Sequence, residues 1–84
     1  MAKAQGYLGY LQKKVIFMGN HIENKKLIND TLDEILSNLK IDNLRDSRYG
    51  KNIKKVLDLI KIIHKDDKEI SKKIDSLLFR LKLN

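Results

Sequence analysis

The stretch Ile53-Lys54-Lys55-Val56-Leu57-Asp58-Leu59-Ile60-Lys61-Ile62-Ile63 decides the fold. Ile53, Val56, Leu57, Ile60 and Ile63 recur every three or four residues, so they share one face of a helix and leave the lysines on the other. The same spacing appears on both sides of it, in Ile28, Leu32, Ile35, Leu36 and Leu39 and in Ile70, Ile74, Leu77, Leu78 and Leu81. Each stripe needs a cover, and the three can cover one another. The pattern predicts an all-α chain folded as a compact bundle of four or five amphipathic helices.

The turn and cap residues set the expected boundaries. A first helix covers about residues 4–18, with Leu8, Leu11, Val15 and Met18 on one face and Tyr7 beside them. Gly6 and Gly9 weaken its start, because glycine costs a helix interior about 1 kcal/mol relative to alanine. Gly19 ends it, and Asn20 with Glu23 three residues on has the spacing of a capping box. A second helix is expected over about 21–40. Thr31 and Glu34 repeat the cap spacing after Asn29 and Asp30, but one helix is preferred to two shorter ones. Residues 41–50 hold Asp, Asn, Ser and Gly and read as a connector with a short helical turn around Leu44. The third helix starts at about 48 or 51, capped by Asp46 or Ser47 if it starts early, and runs to 64. The fourth, capped by Asp66 or Asp67, runs from 68 to about 82, with Glu69 able to pair with Lys73. The chain holds no proline, and neither a repeat nor a low-complexity linker is read in it; one domain over residues 1–84 is expected.

A chain of 84 residues buries only about 60 to 65% of the surface its unfolded form exposes, which leaves little volume for a deep catalytic pocket. Without cysteine it has neither a disulfide framework nor a thiolate metal site. No apolar run approaches the roughly 18 residues that span a bilayer, and Met1-Ala2-Lys3-Ala4-Gln5-Gly6 lacks a signal segment, so a soluble intracellular protein, cytoplasmic or nuclear, is expected. The net charge of +7 falls mainly on residues 51–84. Such an excess favours acidic partners: nucleic acid, an anionic surface or an acidic peptide. Lysine outnumbers arginine fifteen to three, which weakens the case for phosphate clamping by arginine forks.

Little in the sequence supports catalysis. His21 and His64 lie in different elements with no ligand three or four residues away in a metal pattern, and each is assigned a solvent-facing or capping role. Ser47 and Ser71 have no histidine partner in sequence reach. No metal and no cofactor are expected, and the chain is read as non-enzymatic. Asp30, Asp33 and Glu34 lie off the apolar stripe and read as a solvated face. Opposite the stripe of the third helix lie Lys51, Lys54 and Lys55, which can form a basic docking face extended by Lys72. Leu59, Ile62 and Phe79 flank the stripes, either as ordinary packing around a central helix or as the apolar base of a groove for a partner segment. Tyr7, Tyr10 and Phe17 could close that groove. The site expected is therefore a groove between the third and fourth helices, made of Lys51, Lys54, Lys55, Leu59, Ile62, Lys72 and Phe79, that receives a short acidic or aromatic peptide or a partner helix.

The run Leu44-Arg45-Asp46-Ser47-Arg48-Tyr49-Gly50-Lys51-Asn52-Ile53-Lys54-Lys55-Val56 resembles the N-terminal domain of the transcription elongation factor TFIIS. That family has a leucine, a Ser or Thr cap, a basic residue, a Gly-Lys pair and an aliphatic residue three beyond the glycine. Residues 69–82, from Glu69 to Lys82, resemble its last helix. The chain departs from the family at Leu81, where a tryptophan is usual, and at Ile74, where alanine is usual. The segment between Val56 and Glu69 is longer than the family's, and the connector before Leu44 is shorter. The resemblance implies a non-catalytic domain that docks short, disordered, partly acidic motifs of transcription factors. Gly50 would permit close helix approach, and Lys51, Lys54 and Lys55 would face the ligand's acidic residues.

Two other roles stay open, the first on size, charge and helix pattern and the second on the basic third and fourth helices. One is a cytosolic immunity protein of the bacteriocin type; the other is a small basic nucleic-acid-associated protein of a virus, plasmid or organelle. A protein or peptide partner is preferred over nucleic acid, and self-association to a dimer stays open.

Overall fold

The computed structural model describes residues 2–84, with side chains from Gly6 onward. Four helices follow one another: α1 (Ala2–Asn20), α2 (Lys25–Ser37), α3 (Arg48–Ile63) and α4 (Lys68–Leu81). Among the described residues there is no strand. The all-α bundle expected from the three stripes is the fold, and the helix number is four.

Side-chain caps fix where each helix starts. The Asn24 side chain accepts from the Leu27 amide, so α2 begins at Lys25 rather than at the expected capping box of Asn20 and Glu23. Residues 21–23 form a turn instead, in which the His21 amide donates to the Phe17 and Met18 carbonyls. No break occurs at Asn29, because Thr31 and Leu32 are both buried and hold the helix on the core. At its far end Asn38 donates through backbone and side chain to the Glu34 carbonyl, and the helix stops short of residue 40. Ser47 caps α3 on the Tyr49 amide, and Asp67, not Asp66, caps α4 on the Glu69 and Ile70 amides.

The two short turns, residues 21–24 and 64–67, make antiparallel hairpins of α1 with α2 and of α3 with α4. The hairpins then pack side by side, α1 against α3 and α2 against α4, so that the helices form a ring in the order α1, α2, α4, α3. The turn after α1 meets the end of α3, where His64 Nε2 bonds the Ile22 carbonyl, and Lys73 and Arg80 of α4 reach Asn29 and the Leu36 carbonyl of α2. Neighbouring helices in different hairpins therefore run parallel. Residues 38–47 cross the end of the bundle to make this possible. Leu44 anchors the crossing: its side chain is buried and its amide donates to the Leu81 carbonyl at 2.8 Å. The Ser47 amide returns to the Leu44 carbonyl, which is a single turn and not the helical turn expected there.

The core contains Leu11, Val15 and Met18 of α1, Ile28, Leu32 and Ile35 of α2, Ile53, Leu57 and Ile60 of α3, and Ile70, Ile74, Leu77 and Leu81 of α4. A regularity not read in the sequence emerges. Leu11, Val15, Met18, Ile28, Leu32 and Ile35 are each buried, and so are Ile53, Leu57, Ile60, Ile70, Ile74 and Leu77, which stand 42 positions further along. The recurrence is one of burial register more than of residue identity, since Leu, Val and Met exchange freely with Ile and Leu at these sites.

The end of α4 carries the one positive-φ residue among those described, Lys82, at φ 59°. Its amide and that of Leu83 close back on the Phe79 and Leu78 carbonyls, the two-bond pattern that ends many helices in a left-handed residue, and Leu83 tucks into the core. Glycine is the usual occupant because a Cβ is disfavoured there. Replacing Lys82 with Gly is expected to raise stability by about 0.5 to 1 kcal/mol. An upward shift of the urea midpoint would show it, and a fall would mean that the lysine side chain itself holds the cap.

Candidate functional site

Three of the four seams between neighbouring helices are bridged by ion pairs. Lys14 reaches Glu34 across α1 and α2 at 3.1 Å, Lys73 reaches Asp33 across α2 and α4 at 3.0 Å, and Lys61 reaches Asp75 across α3 and α4 at 2.5 Å. Glu34 also accepts from the Tyr10 hydroxyl. That bond, with Lys14, holds the Glu34 carboxyl below its ordinary range, and the same bond pushes the Tyr10 phenol up to about 12. Asp33 and Glu34, expected to be a merely solvated face, are thus cross-helix partners. Among the described residues no ion pair crosses the fourth seam, between α1 and α3.

That fourth seam is apolar. A groove of about 260 Å³ is lined by Gln12, Val15 and Ile16 from α1 and by Asn52, Ile53, Lys55 and Val56 from α3. The helices can close in because α1 presents Gly19 to Val56: a Cβ at Gly19 would lie 3.2 Å from the Val56 Cγ1. Along α3 the flank continues through Asn52, Val56, Leu59 and Ile63, spaced four, three and four residues apart, which is one row on a helix. Leu59 is 51% exposed, and Ile16 and Ile63 are about half exposed. Burying such side chains contributes roughly 1.5 to 3 kcal/mol each, so their exposure leaves a surface that favours a cover.

This row also marks where the buried side of α3 departs from the expected stripe. Val56 and Ile63 were both read into its stripe, yet the buried side of α3 runs through Gly50, Ile53, Leu57, Ile60 and His64. Gly50 lets the connector lie against the helix, and His64 occupies the last inward position, capping α3 while bonding Ile22. Its expected solvent-facing alternative is therefore corrected: His64 is buried, while Ile63 is exposed and Val56, half-buried, packs against the core from the α1 side. His21 is exposed, with its ring 4.7 Å from that of Phe17.

The seven residues expected to share a groove between α3 and α4 are not brought together. The shallow hollow at that seam, lined by Asp58, Lys61, Ile62, Lys65 and Ser71, contains Ile62 alone of the seven, and Lys72 lines the hollow next to it. Leu59 points along the α1 side because it is three residues from Val56 and not in the row of Asp58 and Lys61. Lys55 lines the α1–α3 groove, and Lys51 sits one turn before it. Lys54 is engaged with Asp58 at 2.7 Å. Phe79 lies towards the far end of α4, in a separate charged hollow with Asp42, Arg45, Arg80, Lys82 and Asn84. An apolar groove does lie between α1 and α3, with Lys55 in its lining; Ile16, which also lines it, is outside the apolar face expected of the first helix.

The electrostatics of the α1–α3 face are one-sided. Residues 1–22 contain no acidic residue, and the only one in α3, Asp58, is held by Lys54. Lys13, Lys51 and Lys55 take part in no ion pair among the described residues. No group of three or more metal-ligating side chains is found among them, and no helix there is long and apolar enough to cross a membrane. Neither family models nor curated proteins nor solved structures match the chain.

Proposed function

We propose that the domain is a non-catalytic interaction module whose α1–α3 face receives an amphipathic partner segment, apolar on one side and acidic on its flanks. The observation that carries this reading is the contrast between seams: among the described residues three are latched by ion pairs, and the fourth is apolar, crossed by none and lined by one lysine, Lys55. A helix laid along two parallel helices would set Leu or aromatic anchors against Ile16, Val56, Leu59 and Ile63. Each anchor would contribute roughly 1.5 to 3 kcal/mol, while Lys13, Lys51 and Lys55 would orient the acidic flanks and speed association. The resemblance to the TFIIS N-terminal domain supports the same class of partner, a short acidic motif of a transcription factor.

Selection from a phage-displayed peptide library on the intact domain tests this. Enriched peptides are expected to combine apolar residues at three- and four-residue spacing with Asp and Glu. Their binding should fall at least tenfold in Leu59→Ser and in Lys55→Glu, losses of about 1.4 kcal/mol or more, yet be unchanged in Lys54→Glu, whose side chain serves Asp58. Because Leu59 and Lys55 are exposed, both variants should keep the wild-type urea midpoint to within about 0.5 kcal/mol. Enrichment of basic peptides, or binding indifferent to Leu59, would overturn the assignment.

A further inference from the structure

Phe79 is 70% exposed, the most exposed of the large apolar side chains described, and it does not belong to the apolar face. The hollow it lines, of about 430 Å³, is otherwise made of Asp42, Arg45, Arg80, Lys82 and Asn84. No aliphatic residue accompanies the ring. That composition is wrong for a protein-docking groove, where an aromatic anchor sits among other apolar groups, and right for a platform on which a flat, charged ligand stacks.

Two of the chain's three arginines meet here, although lysine dominates everywhere else. Arg80 is already aimed, because its Nη1 donates to the Leu36 carbonyl at 3.2 Å and leaves the rest of the guanidinium free. Lys82 reaches the hollow from the left-handed position that closes α4. One acid, Asp42, faces three cations. The hollow shares no residue with the α1–α3 groove.

We propose that this hollow binds single-stranded nucleic acid, with a base stacked on Phe79 and the adjoining phosphates held by Arg45, Arg80 and Lys82. A ring open on one face can take a base only when the base is unstacked, which favours a single strand over a duplex. Arginine supplies paired donors to phosphate oxygens, and the lysine adds a point charge. Such a site reads backbone and stacking, so it tolerates many sequences and weakens as salt rises.

Fluorescence polarisation with labelled fifteen-nucleotide dT and rU strands, at low and at moderate salt, tests the assignment on the full chain. Binding is expected, with an affinity that falls as salt rises. Phe79→Ala should weaken it by about five- to a hundredfold, the range for one lost base stack. Arg45→Glu should weaken it and flatten the salt dependence. Leu59→Ser, on the other face, should leave it unchanged, which separates this site from peptide docking. All three positions are exposed, and circular dichroism checks that the variants fold. The proposal is overturned if neither strand binds, if Phe79→Ala binds as the wild type does, or if polyphosphate of equal charge competes as well as dT. It is overturned equally if acidic peptides selected on the domain lose affinity with Phe79→Ala, since the ring would then serve a protein.

Discussion

Leu77→Ala is expected to lower the stability of the domain by about 2 to 5 kcal/mol. Leu77 is fully buried on α4, among side chains from all four helices that form one continuous core. Removing most of its side chain forfeits the transfer free energy of the lost carbons and leaves a cavity that the surrounding helices close only in part. A chain of this length has a total stability of about 4 to 13 kcal/mol, so this single change removes a large fraction of it. Urea titration followed by circular dichroism measures the loss. A midpoint unchanged from wild type would show that α4 does not carry the core.

Gly50→Ala is expected to cost about 3 kcal/mol, although it adds only one methyl group and replaces glycine with a better helix former. By helix propensity alone the change should stabilise by about 1 kcal/mol. The site reverses the sign, because a Cβ there would intrude on the Leu44 carbonyl oxygen and lie 3.0 Å from Leu83 Cδ2. Leu44 cannot simply withdraw, since its amide is bonded to the Leu81 carbonyl and its side chain is buried. The methyl group must therefore move the connector, tilt the start of α3 or expel Leu83. The resemblance implied that Gly50 permits a close approach of helices; what approaches is the connector backbone at Leu44 and the Leu83 side chain. A midpoint equal to or above that of wild type would mean that the connector yields.

The contrast between these two sites shows what sequence reading reaches. Leu77 was legible because periodicity alone places it inward, and the same holds for Ile53, Leu57, Ile60, Ile70 and Ile74. Ser47 and Asp67 were legible as caps because a short polar side chain before an apolar run satisfies free amides. Asn24 was missed because Asn20 with Glu23 offered an equally good local signal, and only the turn at residues 21–23 decides between them. The apolar face was hidden for a different reason. Val56 and Ile63 satisfy the three-and-four spacing, so they seemed committed to the core, but one face of a helix holds a limited number of inward positions. The row of Ile53, Leu57 and Ile60 fills the centre of that face, and Val56 and Ile63 stand at its edge. Which residues become surplus depends on where neighbouring helices lie, and no local pattern encodes that. Phe79 was recognised as lying outside the stripes, but its charged company comes from Asp42 and Arg45 in the connector, far from it in sequence.

The two turns of four residues and the single longer crossing also bear on time. Contacts within each hairpin join helices adjacent in sequence, so closing them costs little chain entropy and can be complete within microseconds. The contacts between distant parts of the chain are those of α1 with α3, of α2 with α4, and of Leu44 in the crossing with Leu81. Helical bundles with short hairpins are expected to fold fast, the last step here being the docking of the two hairpins. That last event alone brings α1 beside α3, so the open face does not exist until folding is finished. A partner that reads this face therefore meets only completed molecules.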